Sequence, residues 1–89
     1  MGKLSLRDVK KRVRRAVNAS LKRSQRVSDS DSLVLDLGFD SLRLATLGLE
    51  LEREFDTPLL LTEWVSLFDD PSELTVGSLG DHIYEMLTR

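Results

Sequence analysis

Apolar residues return every three or four positions in four separate stretches of this chain. Leu6, Val9, Val13, Val17 and Leu21 form the first, with Ala16 and Ser20 beside them. That spacing predicts a helix over about 6–23. Ser5 followed by Asp8 has the form of a capping box at its start, and Lys11, Arg12, Arg15 and Lys22 fall opposite the valines. Leu44, Leu47, Leu51 and Phe55, flanked by Ala45, predict a second helix over about 41–56, with Asp40 as its cap and Pro58 as its break. Arg43, Thr46, Glu50, Arg53 and Glu54 make its polar face, and Leu42 and Leu49 lie together at the border. Trp64, Leu67 and Phe68 anchor a short third helix over about 63–68, capped by Thr62. Val76, Leu79, Ile83, Met86 and Leu87 predict a last helix over about 76–87, capped by Thr75.

The intervening segments read as loops. Residues 25–32 are polar and turn-rich, and Asp69-Asp70-Pro71-Ser72 is a turn. Leu33, Val34, Leu35 and Leu37 are too few for a helix and have no strand partner. They are expected to pack a long loop, 24–40, against the helices, with Gly38 free to take a positive φ. No internal repeat and no strand emerges. The fold class is therefore all-α: a small four-helix bundle with three main helices and a short third one.

Composition narrows the functions open to such a bundle. At 89 residues the chain is expected to form a single domain. Cysteine is absent and histidine occurs once, at His82, so thiolate catalysis and clustered-His or Cys metal sites are excluded. No run of large apolar residues exceeds three, as in Leu59-Leu60-Leu61, far short of a membrane span, and the basic N-terminus has no apolar stretch behind it. A cytoplasmic monomer is the expectation. The net charge of −2 conceals a split: residues 1–26 hold ten basic side chains against Asp8, or +9, and the rest sum to −11.

One segment carries chemistry. In Asp36-Leu37-Gly38-Phe39-Asp40-Ser41-Leu42 a glycine turn delivers a serine to the first turn of a helix, directly after an acidic cap. Free backbone N–H groups and the positive end of the helix dipole favour a phosphate ester on that hydroxyl. A serine at a helix start is also a common, purely structural feature, and the residues alone leave both readings open. A hydrolytic serine is not supported, because the G-x-S-x-G elbow is missing and His82 has no evident carboxylate to orient it.

The stretch from Ser32-Leu33-Val34 through Asp36-Leu37-Gly38-Phe39-Asp40-Ser41-Leu42 resembles the signature of acyl carrier and peptidyl carrier proteins. Leu51-Glu52-Arg53-Glu54-Phe55-Asp56 is similar to the end of that family's second helix, and Leu74-Thr75-Val76-Gly77-Ser78-Leu79 to the start of its last. The resemblance implies a carrier-type bundle that is not itself an enzyme. It implies that Ser41 bears 4′-phosphopantetheine, placed there from coenzyme A by a phosphopantetheinyl transferase that recognises Asp40. An acyl or aminoacyl cargo would ride on the arm as a thioester, loaded by an activating ligase and passed to acyl-transferring enzymes of fatty-acid, lipid or natural-product biosynthesis. The wheel of the second helix puts Leu42 and Leu49, with Arg43 adjoining, forward as docking residues, and the resemblance agrees, since partners of the family commonly touch that edge. Fatty-acid carriers usually have acids where this chain has Arg43 and Thr46, which points to a specialised, stand-alone carrier.

Other features keep alternatives open. The basic face of residues 3–26 is either a solvated face or a grip on nucleic acid or an anionic membrane. The acidic remainder opposes the first ligand, and the lack of aromatic residues before Phe39 opposes the second. A carrier-like scaffold that is never modified is a third reading. Trp64 is expected in the core, and His82 on the solvated side or in an ordinary polar contact. Leu42 and Leu49 either form a docking edge or pack under the loop of residues 25–40.

Overall fold

The computed structural model describes residues 4–21 and 26–89, and the helices follow the apolar periodicity. Helix α1 spans Leu6–Ser20, α2 spans Ser41–Phe55, α3 spans Leu61–Ser66 and α4 spans Val76–Thr88; a 3₁₀ turn occupies Pro71–Glu73. Among the described residues there is no strand; one isolated antiparallel bridge joins Ser32 to Thr75. The fold is an all-α four-helix arrangement of the acyl-carrier type.

Val9, Val13 and Val17 of α1 are fully buried against Leu47 and Leu51 of α2 and Val76, Leu79 and Ile83 of α4. Each fully buried branched side chain contributes roughly 1.5–3 kcal/mol, so this layer supplies a large share of the favourable term. Gly80 lets α4 approach α1 closely: a Cβ there would stand 2.7 Å from the Lys10 side chain. Trp64 is buried, edge-on to Phe68 at 5.6 Å and stacked on His82 at 5.9 Å. The His82 Nε2 lies 2.8 Å from the Leu59 carbonyl oxygen, so the imidazole makes a half-buried polar contact within the fold.

Several boundaries differ from the expectation. Helix α1 ends at Ser20 rather than near Arg23. The Ser20 hydroxyl bonds back to the Ala16 carbonyl, the Leu21 amide turns to Asn18, and Leu21 itself is extended. Lys22 and Arg23 lie outside the described residues. Helix α2 stops at Phe55 because Asp56 takes a left-handed conformation (φ 51°). Helix α3 begins at Leu61, not Glu63, and Thr62 does not cap it. Leu60 occupies the cap position, also left-handed (φ 53°), with no side-chain hydrogen bond. Leu67 consequently falls beyond the helix and is exposed instead of anchoring it. Of the loop leucines, Leu33 and Leu37 are buried and Leu35 is exposed.

Three of the six basic side chains of α1 serve the fold. Lys10 pairs with Asp81 at 3.2 Å, Arg12 with Glu54 at 3.2 Å and Arg14 with Asp29 at 2.8 Å, tying α1 to α4, α2 and the long loop. These pairs are partly exposed, where an ion pair adds about 0–1 kcal/mol, so they orient segments more than they stabilise them. No helix among the described residues is long and apolar enough to cross a membrane.

Candidate functional site

The segment that delivers Ser41 has no regular structure, yet its backbone is bonded to distant chain. The Leu33 amide donates to the Leu74 carbonyl at 2.8 Å, Val76 to Asp31 at 3.0 Å, and Gly77 to Asp29 at 2.8 Å. Ser32 is the buried node of this seam. Its hydroxyl donates to the Pro71 carbonyl at 2.9 Å and accepts from the Leu35 amide at 3.0 Å, while its own amide donates to the Asp36 carboxylate at 2.7 Å. A buried hydroxyl must meet its hydrogen-bonding capacity internally, and this one does.

Gly38 follows with φ 72°, the left-handed region that a side chain disfavours. Phe39 then drops into the core, 2% exposed, and its amide bonds to the Leu33 carbonyl at 2.8 Å. The next residue, Asp40, is extended and caps α2: its carboxylate accepts from the Arg43 amide at 2.8 Å and its carbonyl from the Leu44 amide at 2.9 Å. Ser41 is the first residue of the helix and is exposed. Among the described residues no acceptor takes up the Ser41 or Leu42 amide, so two N–H groups remain at the positive end of the helix beside the serine.

A cleft of about 120 Å³ opens next to that serine, lined by Ser41, Leu44, Ala45, Leu61, Thr62 and Val65. Its far end is closed by close packing of α3 on α2, where a Cβ on Gly48 would meet the Leu61 side chain at 3.0 Å. Exposed hydroxyl, free amides and a mostly apolar trough suit a phosphate ester with a flexible organic tail. The residues present fit such a group.

The structure brings Asp40, Ser41, Leu42 and Arg43 together at one helix end. Leu42 and Leu49 are 76% and 66% exposed, so neither packs under the preceding loop. Seven residues apart, they share one edge of α2. Arg43 is half-buried, whereas Arg53 is exposed. Sequence reading overlooked Leu61, Thr62 and Val65 as the wall facing Ser41, because the predicted third helix began two residues late. Gly48 was the available signal, since a glycine inside a helix marks close approach of another element.

A scan against family models matches residues 11–83 to the model described as the phosphopantetheine attachment site. No curated protein and no solved structure matches the chain. The matched span takes in all of α2 and α3, most of α1 and α4, and the whole seam that positions Ser41. The chain belongs to the phosphopantetheine-attachment family, and its covalently attached cofactor is 4′-phosphopantetheine.

Proposed function

We propose that Ser41 is the residue that carries the arm and that the protein presents cargo to other enzymes without making or breaking bonds itself. The observation behind this reading is the exposed Ser41 hydroxyl at the first position of α2, beside two amides without acceptors. When bound, the group supplies a long tether ending in a thiol, on which an acyl or aminoacyl cargo is held as a thioester. The chain's own part is positional. Asp40 fixes the start of the helix and offers a transferase an acidic contact. The free amides of Ser41 and Leu42 would be available to its phosphate, and Leu44, Leu61 and Val65 would give the tether an apolar wall.

Leu42 and Leu49 form the docking edge in this reading, with Arg43 and Arg53 beside it. Such a surface suits partners with acidic rims and disfavours those built for an acidic carrier helix. The partners are a phosphopantetheinyl transferase, an activating ligase and acyl-transferring enzymes of fatty-acid, lipid or natural-product biosynthesis, acting in the cytoplasm. The alternative of a nucleic-acid or membrane grip by the basic residues of α1 has fewer cations to draw on, because Lys10, Arg12 and Arg14 are engaged with acids of the same chain.

The test is labelling by a broad-specificity transferase with a fluorescent coenzyme A derivative. The wild-type protein should take up one label and Ser41→Ala none, with equal helical circular dichroism. Undiminished labelling of the Ala variant would overturn the assignment.

A further inference from the structure

Short helix α3 has two edges. One lines the cleft beside Ser41 through Leu61, Thr62 and Val65; the other, through Leu60, Glu63 and Trp64, faces α4 across a separate depression. That depression holds about 180 Å³ on the side of Met86 and continues past Trp64 and His82 into a wider trough of about 330 Å³. Leu60 and Leu67 stand at its rim, 50% and 75% exposed. The floor is Trp64, stacked with His82. Two large exposed leucines flanking an aromatic floor form an apolar feature with no task in holding the prosthetic arm.

This part of the chain is mostly acidic. Residues 56–89 contain seven acids (Asp56, Glu63, Asp69, Asp70, Glu73, Asp81 and Glu85) and one arginine, Arg89. Glu63 lines the smaller depression together with Arg89, and Asp81 and Glu85 line the wider trough. Two of these acids have partners, Asp81 with Lys10 and Glu85 with Arg89 at 3.3 Å, but Glu63 has none among the described residues. The α2 edge differs, with two exposed leucines next to Arg53 and with Glu50 nearby.

We propose that the α3–α4 groove is a second docking surface, distinct from the α2 edge. Its occupant is a partner segment that presents a large apolar side chain flanked by lysine or arginine. The apolar side chain inserts between Leu60 and Leu67 over Trp64, and the flanking cations meet Glu63 and the acids of α4. Complementary charge sets the choice of partner and the approach, while the leucine rim and aromatic floor provide the contact. Because the two docking surfaces present different side chains, the carrier can discriminate between two classes of partner.

Trp64 is the chain's one tryptophan, so its emission reports on the groove directly. The probe is a synthetic amphipathic peptide of alternating leucine and lysine pairs, compared with a counterpart carrying glutamate for every lysine. The full-length protein should show a saturable change in Trp64 emission with the lysine peptide and none with the glutamate peptide. Leu67→Ser and, separately, Glu63→Lys should each weaken binding about tenfold, as expected for losing a buried leucine or reversing a facing charge. Leu49→Ser should leave it unchanged. These positions are exposed, so the fold is not at stake. Equal binding of the two peptides, or unaltered affinity in Leu67→Ser and Glu63→Lys, would overturn the proposal. So would loss of binding in Leu49→Ser, which would place the contact on α2.

Discussion

The two segments that flank Ser41, the irregular loop before it and the regular helix α3 across from it, are held in opposite ways. The loop is bonded through its backbone to chain about forty residues away, at Leu33–Leu74, Val76–Asp31 and Gly77–Asp29, and it buries Leu33, Leu37 and Phe39. The backbone bonds of α3, from Trp64 to Leu60, Leu67 to Trp64 and Phe68 to Val65, stay within its own turns. Two buried side chains, Leu61 and Trp64, fasten it to the rest. At its entry, Leu59 is clamped by the Glu52 carboxylate on its amide and by His82 on its carbonyl, and left-handed Leu60 follows. Regular secondary structure is therefore a poor guide to rigidity here. The coil holds Ser41 through backbone bonds to distant chain, whereas α3 is held to the rest through two buried side chains.

The largest effect expected from this contrast is at Phe39. Phe39→Ala removes a buried ring that secures the loop and should cost about 3–5 kcal/mol in denaturant unfolding. The exposed Leu67→Ala should stay within about 0.5 kcal/mol of wild type. Similar losses from the two would dissolve the distinction.

Next in size is Ser32→Ala. It leaves the Leu35 amide and the Pro71 carbonyl without their hydroxyl partner and should cost about 1–3 kcal/mol. Hydrogen exchange should quicken at Leu33, Val76 and Gly77 and remain as it was at Trp64 and Leu67.

How much of this was legible in the sequence follows from the range of the interactions. Apolar spacing sufficed for α1, α2 and α4, because 3.6-residue periodicity is local. The Gly38–Asp40–Ser41 turn was legible for the same reason: a positive-φ glycine and an acidic cap are read from neighbours. The seam through Ser32 was not, since its partners, Pro71 and Leu74, are remote and nothing local marks a serine as a buried node. The start of α3 was missed because Thr62 looks like a cap, whereas the observed cap position holds a leucine in a conformation that leucine disfavours. The α3–α4 groove exists only once Leu60, Trp64 and His82 have been brought together.

That strained leucine gives a smaller test. A non-glycine residue in the left-handed region costs about 1–2 kcal/mol, so Leu60→Gly should stabilise the protein by about 1 kcal/mol or less after the lost leucine contacts. A clear destabilisation would mean that the Leu60 side chain packs more tightly than its half-exposure implies.

The smallest effect concerns Asp70, which accepts from the Ser72 amide at 2.9 Å and starts the 3₁₀ turn that carries Pro71 to Ser32. The hydrogen bond from the Ser72 backbone, then that from its side chain, hold the Asp70 carboxyl below its ordinary value of 3.8. A depressed carboxyl pKa stabilises the fold above the unfolded-state value, and that contribution disappears as pH falls through the lower folded-state value. Asp70→Asn should therefore flatten the acid limb of stability below about pH 4 and leave its neutral-pH slope unaltered. An unchanged acid limb would remove Asp70 from the seam.

The central claim, that the pinned loop exists to hold one serine ready for modification, is tested most directly by locating the group. The protein would be co-expressed with a phosphopantetheinyl transferase, weighed intact and then fragmented for mass spectrometry. The account predicts a single added phosphopantetheine unit, found only on the fragment containing Ser41. A group on Ser28, Ser30 or Ser32, or no added mass in folded protein, would contradict it.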